Sequence, residues 1–244
     1  MDLDRLLDIV ASLPALHSHA ALVQHIARPC VDITLHAGPP ESCRSRFGGL
    51  PLVPPDFVWP SHPEAEYRFL GQIDFSEIDS PPAPLPETGL LCLFYLQDAQ
   101  GNLFWQDDGY VVGHYRHDPT LLIEKQPPHE SHVPPCALAL KRGLSLPERR
   151  ELLEGVTLDE MASESLFYDV PEMARRPNQW LLGYPRYNTL AYDPTPGTDW
   201  VPLLVVPSID ALDWCWHDGD TLMIFIEADR LAARDFDHLK CDAG

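Results

Sequence analysis

The chain has 244 residues, enough to bury a substantial core in one large domain or two small ones. Its 37 acidic and 17 basic residues give a formal net charge of −20, which repels nucleic-acid phosphates and anionic membrane surfaces. We therefore expect no nucleic-acid partner and no membrane attachment. The acidic N-terminus and the absence of a run of about 20 apolar residues predict a cytoplasmic protein.

The numbers of prolines and cysteines bear on the loops and on the redox state. The 26 prolines predict short elements joined by stiff loops, because proline lacks a backbone N–H. The six cysteines are scattered and form no CxxC pair, so we expect them to be reduced. Cys92 and Cys215 stand in apolar runs and are interpreted as small hydrophobic residues of strands.

Residues 1–30 are predicted to form two short helices. Apolar residues recur with helical spacing from Leu3 to Leu13, and Pro14 ends the pattern. A second helix is predicted over 17–28. Both helices need a sheet on which to pack.

Residues 31–116 are predicted to form a first β-rich half. The alternating residues 31–36 indicate a half-buried strand, and GLLCLFYL (89–96) indicates a central strand covered on both faces. The remaining candidate strands of this half are 67–74, 102–106 and 109–116.

Residues 117–178 are predicted to form a proline-rich and helical insert. The segment contains a candidate strand at 136–142 and a helix with Pro147 at its first position. Thr157 and Glu160 match a capping box, and a further short helix is expected at 171–176.

Residues 179–244 are predicted to form a second β-rich half. Its candidate strands are 179–185, 200–208 and 220–227. A last helix is expected over 228–236, and the eight residues beyond it are expected to fray.

Three strings of the first half align in order with three strings of the second. The pairs are RFGGLP (46–51) with WLLGYP (180–185), FLGQID (69–74) with PLLVVP (202–207), and GLLCLFY (89–95) with DTLMIFI (220–226). The intervals between the strings are nearly equal in the two halves. They predict a duplicated core with a pseudo-twofold axis, although any β protein can yield such runs.

The same segments carry a family resemblance. SRFGGLPLVPPDFVWP (45–60), RFLGQIDFSEI (68–78), LPETGLLCLFY (85–95), WLLGYP (180–185) and WCWHDGDTLMIFIEADRLAARDF (214–236) resemble the YwqG-like family of uncharacterised bacterial proteins. The resemblance implies a mixed α/β protein rich in antiparallel sheet with a duplicated core. It implies no activity, cofactor or catalytic residue. The first half keeps a Gln72-Ile73-Asp74 string that the second half lacks.

Histidine pairs are the candidate metal ligands. His114 and His117 are three residues apart, as are His129 and His132. A zinc site needs three or four converging ligands, and residues three apart on a strand point to opposite faces. We therefore interpret these as ordinary surface histidines and expect no metal or other cofactor. No GxSxG, HExxH, P-loop or GxGxxG string occurs, which argues against an enzyme but leaves an unrecognised hydrolase open.

A small basic loop is the candidate anion site. Arg44, Arg46, Gly48 and Gly49 combine forked cations with glycines whose backbone N–H groups can approach a ligand. The alternative is a tight turn at the glycines, with the arginines paired to nearby acids.

Several aromatic residues could line a cleft between the halves or simply pack in the core: Trp105, Trp180, Trp200, Trp214 and Trp216, with Tyr184, Tyr187 and Tyr192. Trp214 and Trp216 are two residues apart and would share one face of an extended segment.

The expected fold is therefore α+β: a mostly antiparallel β-sheet with a duplicated pseudo-twofold core, N-terminal helices and a helical insert between the halves. Two function classes follow. The first is a non-catalytic binding protein with acidic loops for a basic protein partner, as in an immunity protein that neutralises a toxin. The second is a small-molecule binder or unrecognised enzyme with its site in the seam between the halves, near Arg46, Gly49, Gln72, Asp74 and Trp216.

Overall fold

The computed structural model describes residues 1–37, 44–98, 102–129, 133–149, 153 and 157–244. The strands in these residues are β1 (Arg28–Ala37), β2 (Arg46–Phe47), β3 (Leu52–Val53), β4 (Glu66–Asp74), β5 (Leu90–Gln97), β6 (Val111–Arg116), β7 (Ile123–Glu124), β8 (Cys136–Ser145), β9 (Trp180–Leu182), β10 (Trp200–Pro207), β11 (Thr221–Glu227) and β12 (Lys240–Ala243). The helices are α1 (Leu3–Ser12), α2 (Ala20–Ile26), α3 (Glu160–Glu164), α4 (Val170–Ala174) and α5 (Ala228–Ala233).

Ten of these strands form one antiparallel sheet, and β3 pairs with β7 apart from it. The order is β12-β11-β10-β9-β1-β8-β2-β4-β5-β6. Seven of the eight residues of β5 are buried, as its continuous apolar sequence predicts. The expected α+β class with a mostly antiparallel sheet is confirmed.

A helical layer packs beside one end of the sheet and has its own core. Leu6 and Val10 of α1, Val23 of α2 and Val170 of α4 are buried together. A 3₁₀ turn (Pro14–His19) joins α1 to α2, and a π turn (Ser165–Asp169) joins α3 to α4. Partly buried leucines near the end of β8 connect this core to the sheet. None of the helices in the described ranges is long and apolar enough to span a membrane.

The two outer groups of four strands match each other in detail. β2-β4-β5-β6 and β9-β10-β11-β12 flank the central pair β1-β8. Arg46 pairs with Gln72 as Trp180 pairs with Val205, and both β4 and β10 carry an irregularity at the same aligned place. This likeness is the geometry that a duplication would leave. The duplication itself stays a prediction, because shared strand order and register do not establish descent.

Backbone dihedral angles continue the likeness after β2 and β9. Gly48 and Gly49 have φ values of 63° and 69°, and the aligned Leu182 and Gly183 have 59° and 76°. The left-handed region favours glycine, so a leucine there is unusual. The fold therefore keeps this turn in both halves even where the sequence lacks the glycine.

The final residues are ordered, so the expectation that they fray is wrong. Residues Lys240–Ala243 form β12, which pairs with β11, and Cys241 and Ala243 are buried. Phe236, just before it, packs on Tyr115 of β6 with ring centroids 5.0 Å apart. The two edge strands of the sheet thus face each other across apolar side chains. Burial of this contact holds the segment in place.

Two local predictions are also wrong. Residues 102–106 form a turn instead of a strand, because the carboxylates of Asp98 and Asp107 accept hydrogen bonds from the backbone N–H groups of residues 102–104. The N-cap of α3 is Asp159 instead of Thr157, and its carboxylate accepts a 2.8 Å hydrogen bond from the N–H of Ala162. Asp and Thr are both good caps, and the helix begins two residues later than the capping-box pattern predicts.

Two further predictions concern the helix after Pro147 and the environment of Cys215. The helix expected after Pro147 falls mainly on residues 150–152 and 154–156, which lie outside the described residues, and 147–149 are not helical. Cys215 was expected on a strand as a small hydrophobic residue, and this is wrong: it is exposed in the loop before β11. Trp214, just before it, makes only an isolated bridge with Ile209, and a turn follows at 217–219.

Candidate functional site

The predicted first-half site residues lie together where β2 meets β4. Arg46 pairs with Gln72 across these strands, and Phe47 pairs with Gly71. Gln72 is fully buried, and Asp74 is 2% exposed. These residues therefore share one region of the sheet.

Gln72 links the loop before β2 to β3. Its Nε2 donates a 2.8 Å hydrogen bond to the carbonyl of Arg44, and its Oε1 accepts a 2.9 Å bond from the N–H of Leu52. A buried amide with both ends occupied fixes the chain and leaves little for a ligand. The contacts of Gln72 are those of a structural residue.

The two predicted arginines contact acids and carbonyls of the same chain. Arg44 Nη1 lies 3.3 Å from Asp74 Oδ2, and the Oδ1 atom of Asp74 accepts hydrogen bonds from Ser76. Arg46 Nη1 lies 3.3 Å from Glu124 Oε1, and its Nη2 donates to the carbonyl of Leu50 at 2.5 Å. These pairings follow the second of the two alternatives for the basic loop.

The backbone N–H groups of the two glycines are also occupied. Gly48 donates to the carbonyl of Leu70 and Gly49 to that of Val133, each at 3.0 Å. A Cβ atom on Gly48 would lie 2.5 Å from the carbonyl oxygen of Pro134. The glycines therefore allow two backbone segments to approach closely, and their N–H groups do not face an open anion pocket.

Trp216 lies apart from those polar groups. Its ring packs on Trp214 at 5.6 Å and on Tyr95 at 5.2 Å, and Trp214 packs on Phe47 at 5.3 Å. Trp214 and Trp216 are each 2% exposed. The tryptophan pair thus belongs to the main core instead of lining a cleft.

The histidine pairs do not gather ligands. His114 packs against Phe57 with ring centroids 4.8 Å apart, whereas His117 Nδ1 lies 3.3 Å from an Arg234 amino group. His129 lies beside Trp59, and His132 falls outside the described residues. Across the ranges that the structure describes, no three His, Cys, Asp or Glu side chains are placed to hold a metal ion.

His114 should make stability depend on pH. Burial, and then the charge of Arg116, lowers the pKa of His114 below 6.5. The unfolded chain therefore takes up a proton first as the pH falls, and the free energy of unfolding decreases below about pH 6.5. We expect His114→Gln to flatten this dependence, measured by urea unfolding at a series of pH values. Replacing the exposed His25 in the same way is the control; equal slopes in the two variants would contradict the assignment.

The buried cysteines are poor nucleophiles. Burial raises the pKa of both Cys30 and Cys92 to about 12, and it raises the pKa of Cys241 as well. A thiol of this kind stays protonated at neutral pH, and the thiolate is the reactive form. These three residues therefore offer no activated nucleophile.

A separate group of charged residues surrounds Trp180 on β9. The guanidinium carbons of Arg176 and Arg186 lie 5.1 Å and 4.9 Å from the centre of its ring. Arg176 donates two hydrogen bonds to Asp32 Oδ1, at 2.6 Å and 3.0 Å, and Arg186 donates to Glu148 at 3.0 Å. The chain's amino group also contacts Asp32, at 2.5 Å.

A cavity of about 150 Å³ opens beside this group. Trp180, both arginines and Asn178 line it together with Pro147 and other apolar residues. The sequence prediction named Trp180 only as one of several aromatic residues that could line a cleft, and it missed the arginines around it. The available signal for the site was the clustering of arginines at 175, 176 and 186 around a tryptophan in a strongly acidic chain.

Taken together, the fold and these sites define an antiparallel α+β protein with a twofold-like sheet and polar residues engaged mainly in structure. A family model matches residues 45–243, and the chain belongs to that family, a domain of unknown function, DUF1963. This agrees with the resemblance to the uncharacterised YwqG-like proteins. No curated protein matches the chain.

Proposed function

We propose that this protein is a non-catalytic binding protein that holds a basic protein partner on an acidic surface. An immunity protein that neutralises a toxin works in this way. The observation that supports it most is a row of exposed carboxylates on the helical segment of residues 160–174. These carboxylates surround exposed apolar side chains.

The basic residues of the chain are largely engaged within the fold. Arginine side chains contact carboxylates or aromatic rings in these pairs: Arg28–Tyr184, Arg44–Asp74, Arg46–Glu124, Arg149–Tyr187, Arg176–Asp32, Arg186–Glu148 and Arg230–Asp235. Many acids in the described ranges contact no basic side chain of those ranges. The net charge of −20 is therefore displayed mainly by carboxylates on the surface.

The helical segment concentrates this charge. Glu160, Glu164, Tyr168 and Glu172 recur every four residues and are all exposed. Among the described residues, none of these three glutamates has a basic side chain within 4.0 Å. Like charges four residues apart on a helix destabilise it by about 0.2–0.5 kcal/mol per pair, and a bound cation would relieve this.

Exposed apolar groups lie among the glutamates. Tyr168 is 73% exposed and Met161 is 68% exposed. Tyrosine and methionine are enriched in protein interfaces, where charged residues surround them as a rim. We call Glu160, Met161, Glu164, Tyr168 and Glu172 the acidic face, and we infer that the partner contributes lysine or arginine to it.

The test compares two triple variants that remove equal charge. One carries Glu160→Gln, Glu164→Gln and Glu172→Gln; the control carries Asp56→Asn, Glu64→Gln and Glu87→Gln, all at exposed positions. A partner is captured from the native host's lysate by the wild-type chain, identified by mass spectrometry and purified. Its association rate is then measured at low and high salt.

We expect the acidic-face variant to associate about tenfold more slowly at low salt, because charge complementarity mainly raises the association rate. The control variant should remain close to wild type, and high salt should reduce the difference. Equal losses in both variants would show that total charge matters and the face does not. Failure to recover a basic partner would reject the proposal.

The second function class, a small-molecule binder or enzyme with a site in the seam near Arg46 and Trp216, has weaker support. The predicted residues there engage one another or lie in the core. The cavity beside Trp180 adjoins the central strand β1 and is the feature that favours this class.

A further inference from the structure

We propose that the cavity beside Trp180 binds a small organic carboxylate. None of the five acidic-face residues lines this cavity, but Glu148 lines both the cavity and the neighbouring pocket that contains Glu160 and Glu164. The two proposals are therefore tested with different variants and different ligands. Its cavity is smaller than the usual pockets for drug-sized ligands, and it therefore suits a compact molecule with a short apolar body.

The two arginines that line the cavity have donors that make no hydrogen bond to the described residues. Arg176 uses Nε and Nη2 on Asp32, and Arg186 uses Nε on Glu148. Within the described part of the chain, Nη1 of Arg176 and both terminal amino groups of Arg186 have no hydrogen-bond partner. The side chains are only 16% and 19% exposed, so these donors are held in a partly dry space.

Buried residues hold the two arginines in position. Asp32 is 6% exposed and holds Arg176 through two hydrogen bonds, while Trp180 is 3% exposed and contacts both guanidinium groups. Guanidinium groups already oriented in this way lose little conformational freedom when they bind a carboxylate. The arrangement is therefore prepared for an anion.

The walls favour a carboxylate over phosphate. Trp180, Pro147, Pro177 and Pro185 provide an apolar surface that an alkyl chain can cover. Glu148 lies next to Arg186 and repels anions, and it repels a doubly charged phosphate more strongly than a single carboxylate. The charge and shape together select a monoanion with an apolar end.

The experiment is a titration followed by ¹H–¹⁵N NMR, with acetate, propionate and butyrate added through the millimolar range. Propionamide serves as the neutral analogue, and inorganic phosphate is tested separately. The indole N–H of Trp180, which donates to the carbonyl of Tyr184, reports on the site. Its signal is assigned with Trp180→Phe.

We expect saturable shifts with the carboxylates and none with propionamide. Arg186→Gln should weaken binding at least tenfold, because it removes a charged donor. Glu148→Gln should strengthen it severalfold, because it removes the competing carboxylate. The control Arg230→Gln, at another arginine paired with acids, should leave affinity unchanged.

The opposite responses of the two cavity variants separate binding from misfolding, since loss of folding would weaken both. Thermal unfolding of each variant checks this directly. The proposal is overturned if carboxylates give no saturable shift at the Trp180 signal. It is also overturned if phosphate binds more tightly than butyrate, or if Arg186→Gln binds as wild type does.

Discussion

Replacing Asp32 by asparagine is expected to lower the free energy of unfolding by about 3–5 kcal/mol. Asp32 is 6% exposed and pairs with Arg176 at 2.6 Å and with the chain's amino group at 2.5 Å. Asparagine keeps the shape and removes the charge. Two buried cations would then lose their counter-ion in a region with little water.

The pair of Arg230 with Asp235 is the matched control. Its atoms are also 2.6 Å apart, but its side chains are 36% and 40% exposed. We expect Asp235→Asn to cost at most about 1 kcal/mol, because solvent screens an exposed pair. Urea unfolding at neutral pH measures both variants.

A double variant tests where the effect of Asp32 arises. Arg176→Gln should recover part of the loss caused by Asp32→Asn, because it removes one of the uncompensated charges. Equal effects of Asp32→Asn and Asp235→Asn would show that burial does not govern these ion pairs.

Replacing Gly48 by alanine is expected to lower the free energy of unfolding by about 3 kcal/mol or more. Two effects combine at this position. Its φ of 63° is unfavourable for a residue with a side chain, and the added Cβ would lie 2.5 Å from the carbonyl oxygen of Pro134. Backbone cannot move aside as a flexible side chain can.

Gly219 separates these two effects. It also has a positive φ, 100°, but nothing lies within 4 Å of an added Cβ. We expect Gly219→Ala to cost about 1–2 kcal/mol, which is the backbone strain alone. Thermal unfolding of both variants gives the comparison, and a Gly48→Ala variant no less stable than Gly219→Ala would refute the role assigned to the crossing at Pro134.

Leu182 supports the same interpretation. It occupies the position aligned with Gly48, with a φ of 59°, and the protein accommodates its side chain. The left-handed backbone alone is therefore tolerated in this fold. In addition, the absence of a side chain at Gly48 leaves room for the backbone at Pro134 to pass close by.

The polar residues of the predicted first-half site serve the fold. Gln72, Asp74, Arg44 and Arg46 looked like a ligand site in sequence because they combine charge with glycines. In the structure, each makes hydrogen bonds or ion pairs that connect β2 to neighbouring segments. The acidic face and the arginines of the Trp180 cavity are not among the residues named for the predicted site.

Local patterns in the sequence were sufficient to predict those helices and strands that depend least on contacts with the rest of the chain. The apolar spacing from Leu3 predicted α1, and Pro14 ends it, because the missing N–H of proline breaks the helix wherever the chain lies. The continuous apolar run of β5 predicted a strand covered on both faces. The charge and the absence of catalytic motifs likewise set the function classes, although they named no ligand.

Tertiary contacts decided the rest, for physical reasons that local sequence does not contain. Residues 240–243 become a strand because the edge of β11 is open to them. The turn at 102–106 is an exception: it is a local effect, because the carboxylates that accept from the N–H groups of residues 103 and 104 lie only five and three residues away. Arg176 and Asp32 are 144 residues apart and meet only when β1 lies beside β9. The cavity at Trp180 depends on this contact between Arg176 and Asp32. The sequence alone predicted the strands that surround the site. Its charged residues come together only in the folded chain.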